Sequence, residues 1–309
     1  MGADRKFDVV GLGVSTLDLL MIVDELPGRE VVQRAHDSAL QGGGPVATAM
    51  VTLARLGSRT AMLDKIGDDW RGRFILDEFR KEHVSTEWIR IASGCRSSIA
   101  SILVRKRDGA RVITFSPGNA EELHPDEVPE EIIAGAKVLH LNGRHWDASL
   151  KAAQLARAHG VKVSFDGGAN RHRDDISSLI ALTDICILAR QFAIAFSGSD
   201  DQQFSAKCLI DAGPEIVVIT NGAEGSCIFS RNGEAFHQPA FNIGSPVDST
   251  GAGDAYHGGF LHGIVTGLGL KECAVLASAA AALNTRKLGG RGALPTMAEA
   301  DQLISAQRR

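Results

Sequence analysis

The sequence predicts an α/β protein: a doubly wound, mostly parallel sheet flanked by helices, with a small discontinuous β lid. Three observations predict it. Short, nearly unbroken apolar runs alternate with longer segments of helical periodicity, as expected of strands buried on both faces. Two extended stretches, about 18–41 and 97–118, break that alternation. The 309 residues are 44% hydrophobic and 23% charged, enough for one large core, so 1–309 is read as a single domain with the lid as an excursion.

The first strand candidate is "FDVVGLGV" (7–14), followed by the first lid stretch and a helix over 45–57. A strand at 60–67 and a helix at 70–83 come next. The second lid stretch carries Asp108–Gly109 between alternating residues, a hairpin signal. Strands then follow at 137–143, 161–168, 184–189 and 215–220, with helices at 148–159 and 201–212 between them. From 251 onward the pattern is mostly helical, with an Ala-rich helix near 271–286 and a Gly-rich loop at 288–295. Both lid stretches fall at the carboxyl edge of the parallel strands, where open α/β sheets bind ligands.

Composition removes several function classes. Lys plus Arg number 33 against 37 Asp plus Glu, for a net charge of −4 with no basic block, so neither nucleic acid nor a membrane surface is an expected partner. Cys95, Cys186, Cys208, Cys227 and Cys273 are odd in number and never form a CxxC, as in reduced cytosolic proteins. No uncharged apolar run reaches the roughly 18–20 residues of a membrane helix, and the start lacks a signal-peptide core; a cytoplasmic location is expected. "GLGVST" lacks the third glycine of a dinucleotide fingerprint, no Walker A motif occurs, and "HRDD" (172–175) lacks the rest of a protein-kinase loop and reads as a solvated turn.

The chemistry concentrates in "PVDSTGAGDAYHGGF" (246–260). A helix starting near 252 leaves its first amides unpaired and carries about half a positive charge at that end. Gly251 and Gly253 let a phosphate oxygen approach those amides. Asp254 falls in the first turn, where it suits a base taking a proton from an attacking hydroxyl better than an anion ligand. Asp248 lies outside the helix, suited to organising the loop or holding a cation. The alternative is that Asp248 or Ser249 caps a helix and the glycines only pack. Gly258 and Gly259, each costing about 1 kcal/mol in a helix, point to close approach of a backbone or ligand.

"DSTGAGDAYHGGF" resembles the second signature of the PfkB (ribokinase-like) carbohydrate kinases, and "GGGPVATAMVTLARLG" (42–57) the first. "GLGVSTLD" (11–18) resembles the family's sugar-binding Asp segment and "ITNGAEG" (219–225) its nucleotide-side strand and turn, so the likeness spans about 8–295. It implies a ribokinase-like fold and an ATP-dependent kinase acting on a primary hydroxyl of a small carbohydrate. Asp254 would be the base, and the amides of Gly251, Ala252 and Gly253 the anion hole. Asp18, Gly42 and Gly43 would hold sugar hydroxyls, and Thr220, Gly222 and Gly225 the ATP side. Asp248 and Thr250 would form a monovalent-cation (K+) site with the 286–292 loop, and Mg2+ would arrive with ATP. A homodimer through the β lid is implied as well. For Asp18 a turn cap, and for Gly42 to Gly44 a plain loop, stand as alternatives.

Two departures set this chain apart. The Asn-x-x-Glu expected after "DICILA" is Ala189-Arg190-Gln191-Phe192, and Ala47 stands where the first signature usually has Asn. "GGGPVATA", "HLNGRHWD" and "RKLGGRGALP" look closest to sulfofructose kinases and then ketohexokinases, which favours a ketose or substituted ketose over a ribose or nucleoside. Arg144 is the candidate for the substrate's far end, with a salt bridge to Asp147 as its alternative. Val32 and Phe115 stand where lid polar contacts would be expected. A non-catalytic sugar- or nucleotide-binding relative is the rival reading, and retention of Asp254 speaks against it.

Overall fold

The computed structural model of the chain describes residues 5–28, 30, 32–169 and 171–307. In chain order these form β1 (Phe7–Leu12), β2 (Thr16–Val23), β3 (Asp37–Gly43), α1 (Pro45–Arg55), β4 (Thr60–Gly67), α2 (Trp70–Lys81), β5 (Val84–Ser85), β6 (Ile89–Ala92), β7 (Ile99–Arg105) and β8 (Arg111–Ser116). There follow α3 (Glu130–Ala134), β9 (Ala136–Leu141), α4 (Trp146–Ala158), β10 (Lys162–Gly167), α5 (Ser177–Ile180), β11 (Ile185–Ala189), α6 (Arg190–Ser197) and α7 (Gln202–Ala212). The chain ends with β12 (Ile216–Thr220), β13 (Ser226–Ser230), β14 (Ala235–Gln238), α8 (Ala252–Thr266), α9 (Leu270–Asn284) and α10 (Met297–Gln307).

The main sheet runs β14-β13-β12-β11-β10-β9-β1-β4-β5, with β6 also on β4, and is parallel from β12 onward. Alternate residues of β1 feed opposite layers. Val10 and Leu12 pack with α3–α7, while Val9 packs with α1, α2, α8 and α9. This two-sided burial is why the strands read as continuous apolar runs. The antiparallel pair β13–β14 extends one edge.

Helix α8 owes its place to its glycines. A Cβ on Gly258 would come within 2.5 Å of Thr52 on α1, and one on Gly259 within 2.8 Å of Ala277 on α9. The close approach expected at these positions is therefore helix against helix.

The second sheet, β3-β2-β7-β8, is built from the two stretches that break the α/β alternation. On its inner face Leu20, Ala100, Ile102 and Val104 pack with Leu288. On its outer face the register sets Leu19 beside Leu40, and Met21 beside Leu103, which in turn pairs with Val112. Leu40 and Val112 are exposed there. Among the described residues, no helix is long and apolar enough to cross a membrane.

Candidate active site

The start of α8 stands at the junction of two cavities. The larger, about 900 Å³, is lined by Asp18, Asp254, Gly251 and Gly253, and by Ile113 and Phe115 of the small sheet. The smaller, about 300 Å³ and mostly apolar, is lined by Thr220, Gly222, Gly225, Ala252 and Tyr256. Thr220, Ser249 and Gly253 wall both, so the helix start is where the two spaces meet.

The local sequence shapes this junction. Gly251 caps α8 at φ 72°, a left-handed conformation, and a Cβ there would come within 2.5 Å of Gly290. No side chain caps the helix. The Ala252 N–H turns back to the Ser249 carbonyl at 3.3 Å. The loop itself is tied by Asp248, fully buried: Oδ1 accepts from the Thr250 N–H (2.8 Å) and hydroxyl (2.7 Å), and Oδ2 from the Gly289 N–H (2.9 Å). Asp248 and Thr250 are thus brought together, but around each other.

Asp254 projects from the first turn into the large cavity, and no hydrogen bond to its carboxylate is seen among the described residues. Desolvation, then the charges of Asp166 and Asp18, push its pKa up to about 7, against the opposing pull of Arg171 and Arg291. Asp18, from β2, is also held above the usual carboxylate range by burial, although the Thr16 hydroxyl bonds its Oδ1 at 2.7 Å.

Gly42 and Gly43 stand behind the cavity wall, which takes in Gly44 and Pro45 instead. A Cβ on Gly43 would fall 2.1 Å from the Asp18 carboxylate and one on Gly42 2.4 Å from the Arg291 guanidinium. These glycines make room for a buried acid and a buried base. Arg291 binds Thr48 Oγ1 (3.2 Å) and the Gly43 carbonyl (3.1 Å), joining α1 and β3 to the loop behind Gly251. Its desolvation brings its pKa down to about 10.

Arg144 is exposed on the cavity rim after β9, and its guanidinium makes no ion pair among the described residues, with Asp147 or any other acid. Its backbone is fixed instead: the N–H meets Asn142 Oδ1 at 3.3 Å and the carbonyl accepts from Ser149 Oγ at 2.6 Å. Arg111, Arg171 and Arg173 line the same cavity. Arg111 reaches from β8 to the Ser249 hydroxyl (2.6 Å), bridging the small sheet and the α8 loop. Arg171 pairs with Asp166 at 3.0 Å. Arg173, within "HRDD", pairs with Asp175 and lies 3.8 Å over the Trp146 ring.

Asp166, Arg171, His257 and Arg291 carry no signal of their own in the sequence. An acid closing "VSFDGG" and an Arg in a glycine loop look like surface charges until distant strands enclose them. Among the described residues no cluster of three or more His, Cys, Asp or Glu could hold a metal ion, and β11 passes directly at Ala189 into α6, which begins at Arg190.

Comparison with known proteins places these features in context. Residues 6–297 match the pfkB family carbohydrate kinase model. A 5-dehydro-2-deoxygluconokinase of Bacillus subtilis (strain 168) is 31% identical over 324 residues, covering 98% of each chain. The crystal structure of adenosine kinase from Sinorhizobium meliloti superposes with a TM-score of 0.84 at 26% identity, over 96% of this chain and 99% of that one. Arabidopsis thaliana ribokinase, solved with ribose and ATP, shares the fold at 23% identity (TM-score 0.83; 96% and 98% covered).

Proposed function

Because the chain belongs to the pfkB family of carbohydrate kinases and is a sugar kinase, we propose that it transfers the γ-phosphoryl group of ATP to a primary hydroxyl of a small ketose or substituted ketose, with Asp254 as general base. One observation carries this reading: a carboxylate with no hydrogen bond among the described residues faces the larger of two cavities that meet at a helix start capped by glycine alone.

Asp254 accepts the hydroxyl proton as the oxygen attacks, and a pKa near neutrality suits that task. The amides of Gly251 and Gly253, and that of Ala252 on giving up its 3.3 Å bond to the Ser249 carbonyl, supply the anion hole, aided by the helix dipole. Asp18, one oxygen held by Thr16, keeps acceptor capacity for sugar hydroxyls. Gly42 and Gly43 act through the space they give Asp18 and Arg291. The apolar cavity at Thr220, Gly222 and Gly225 fits a nucleotide base. Mg2+, if carried in with the nucleotide, would neutralise phosphate charge. Asp248 and Thr250 do not fit a K+ site well: their polar atoms satisfy the loop, and no step is assigned to that ion. The small sheet acts as a lid that excludes water during in-line transfer. Its apolar outer face supports a homodimer, which sedimentation would detect. A cytoplasmic location fits the reduced-thiol reading of the cysteines.

The four arginines around the large cavity favour an acceptor bearing an acid group, as the name of the B. subtilis relative implies for that enzyme. Arg144, with its charge uncommitted, is the proposed partner of that group. The test is ADP release with fructose, ribose, adenosine and 5-dehydro-2-deoxygluconate as acceptors. Turnover of a ketose or keto acid, with Arg144→Ala raising KM for the acid alone, is expected. Release with adenosine or ribose only would overturn the substrate reading.

A further inference from the structure

Two polar side chains on the large cavity take no part in the scheme above. Asp166 is the penultimate residue of β10, and His257 projects from α8 three residues beyond Asp254. They are 4% and 7% exposed, and both line the cavity. Arg171 occupies Asp166 Oδ2 at 3.0 Å. Asp166 Oδ1 lies 3.8 Å from His257 Nε2. That separation is too long for a hydrogen bond, and it leaves room for one oxygen at about 2.8 Å from each.

The chemistry of the gap is polarised. Burial holds the His257 imidazole below its ordinary pKa, hence neutral, and the nitrogen facing a carboxylate is the one that keeps the proton. Nε2–H is then a donor and Oδ1 an acceptor, the two partners a hydroxyl needs at once. Among the described residues Nδ1 is buried without a partner and the His140 ring backs His257 at 5.4 Å between centroids, so Nε2 is the edge that faces Asp166.

We propose that Asp166 and His257 form a notch for a secondary hydroxyl of the acceptor: the hydroxyl accepts from His257 Nε2–H and donates to Asp166 Oδ1. Residues three apart on a helix stand about 5–6 Å apart at Cβ, so this hydroxyl sits one or two carbons from the primary hydroxyl facing Asp254. Arg171 is a positioning residue, holding the other oxygen of Asp166. The inference rests on the kinase reading and adds a specificity element: the acceptor must be a polyol with a hydroxyl near the phosphorylated carbon.

The experiment pairs variants with substrate deletions. The acceptor turned over fastest in the ADP-release screen is compared with analogues that each lack one hydroxyl, using the wild type, His257→Phe and His257→Gln. The wild type should lose roughly tenfold or more in kcat/KM on one analogue. His257→Phe should lose a similar factor on the full acceptor and almost nothing further on that analogue. His257→Gln, which keeps a donor, should recover part of the loss, and KM for ATP should hold in both. An equal loss for His257→Phe on every acceptor, or full discrimination among the analogues retained in it, overturns the notch. If His257→Phe does not fold, His257→Gln and the wild-type analogue series decide: no analogue penalised in the wild type overturns the proposal. Absence of ADP release from every acceptor would instead defeat the kinase reading itself.

Discussion

At the scale of single residues, the proposed chemistry turns on one carboxylate that has no hydrogen bond among the described residues. Most buried acids in this protein are tied down: Asp248 by three donors, Asp64 by two backbone amides and His145. The partly exposed Asp254 has no such partner among the described residues, and its pKa near 7 has two consequences. The acid limb of kcat/KM should titrate near pH 7, since only the carboxylate accepts a proton. A flat profile between pH 5 and 8 would contradict this. Stability should move the other way. A folded-state pKa raised above the ordinary 3.8 means the native state binds the extra proton, so this contribution is complete below about pH 4 and lost as pH rises through 7. Asp254→Asn should therefore melt higher than wild type at pH 8, with the two converging at low pH. A lower melting point at pH 8 would show that the folded state stabilises the Asp254 carboxylate, contrary to the raised pKa.

At the scale of elements, the N-terminus of α8 is the device, and its cap is the sensitive point. Gly251 and Gly267 flank the same helix, both at positive φ (72° and 83°), but only Gly251 lacks space for a Cβ. Either Ala substitution should cost about 1–3 kcal/mol for the backbone strain. Gly251→Ala should in addition push the Gly290 backbone away and depress turnover, whereas Gly267→Ala should leave turnover near wild type. Denaturant melts paired with kcat separate the two, and equal kcat values would argue against a special role for this cap.

Elements were also where the sequence was most readable. The helices expected at 45–57, 70–83, 148–159 and 201–212 appear as α1, α2, α4 and α7, and the helix near 252 as α8. Apolar periodicity and glycine placement report on local structure, and these segments obey it. The pair β13–β14 and helix α6 were not expected. "SCIFS" and "AFHQ" are too short and mixed to stand out, and "RQFAIAF" drew notice only for its missing acid. The site divides similarly. Asp254, Thr220 and Gly225 belong to contiguous motifs, whereas Arg291 becomes a buried partner only when Thr48 and Gly43, more than 240 residues away, close around it.

At the scale of the whole molecule, the small sheet and the α8 loop are joined by Arg111 and Ser249, side chains 138 residues apart. Arg111 is therefore expected to help hold the lid over the acceptor. Arg111→Ala should raise KM for the acceptor severalfold and leave the melting temperature nearly unchanged, because an exposed contact adds little to stability. An unchanged KM would remove the latch from the closure scheme.

In the mechanism proposed above, one carboxylate set beside the start of α8 activates the acceptor hydroxyl. Single-turnover phosphate transfer by Asp254→Asn, with nucleotide binding measured in the same preparation, tests it most directly. The account predicts a loss of about a hundredfold or more in the transfer rate, the range of general-base catalysis, with nucleotide affinity retained. Transfer at close to the wild-type rate would contradict it.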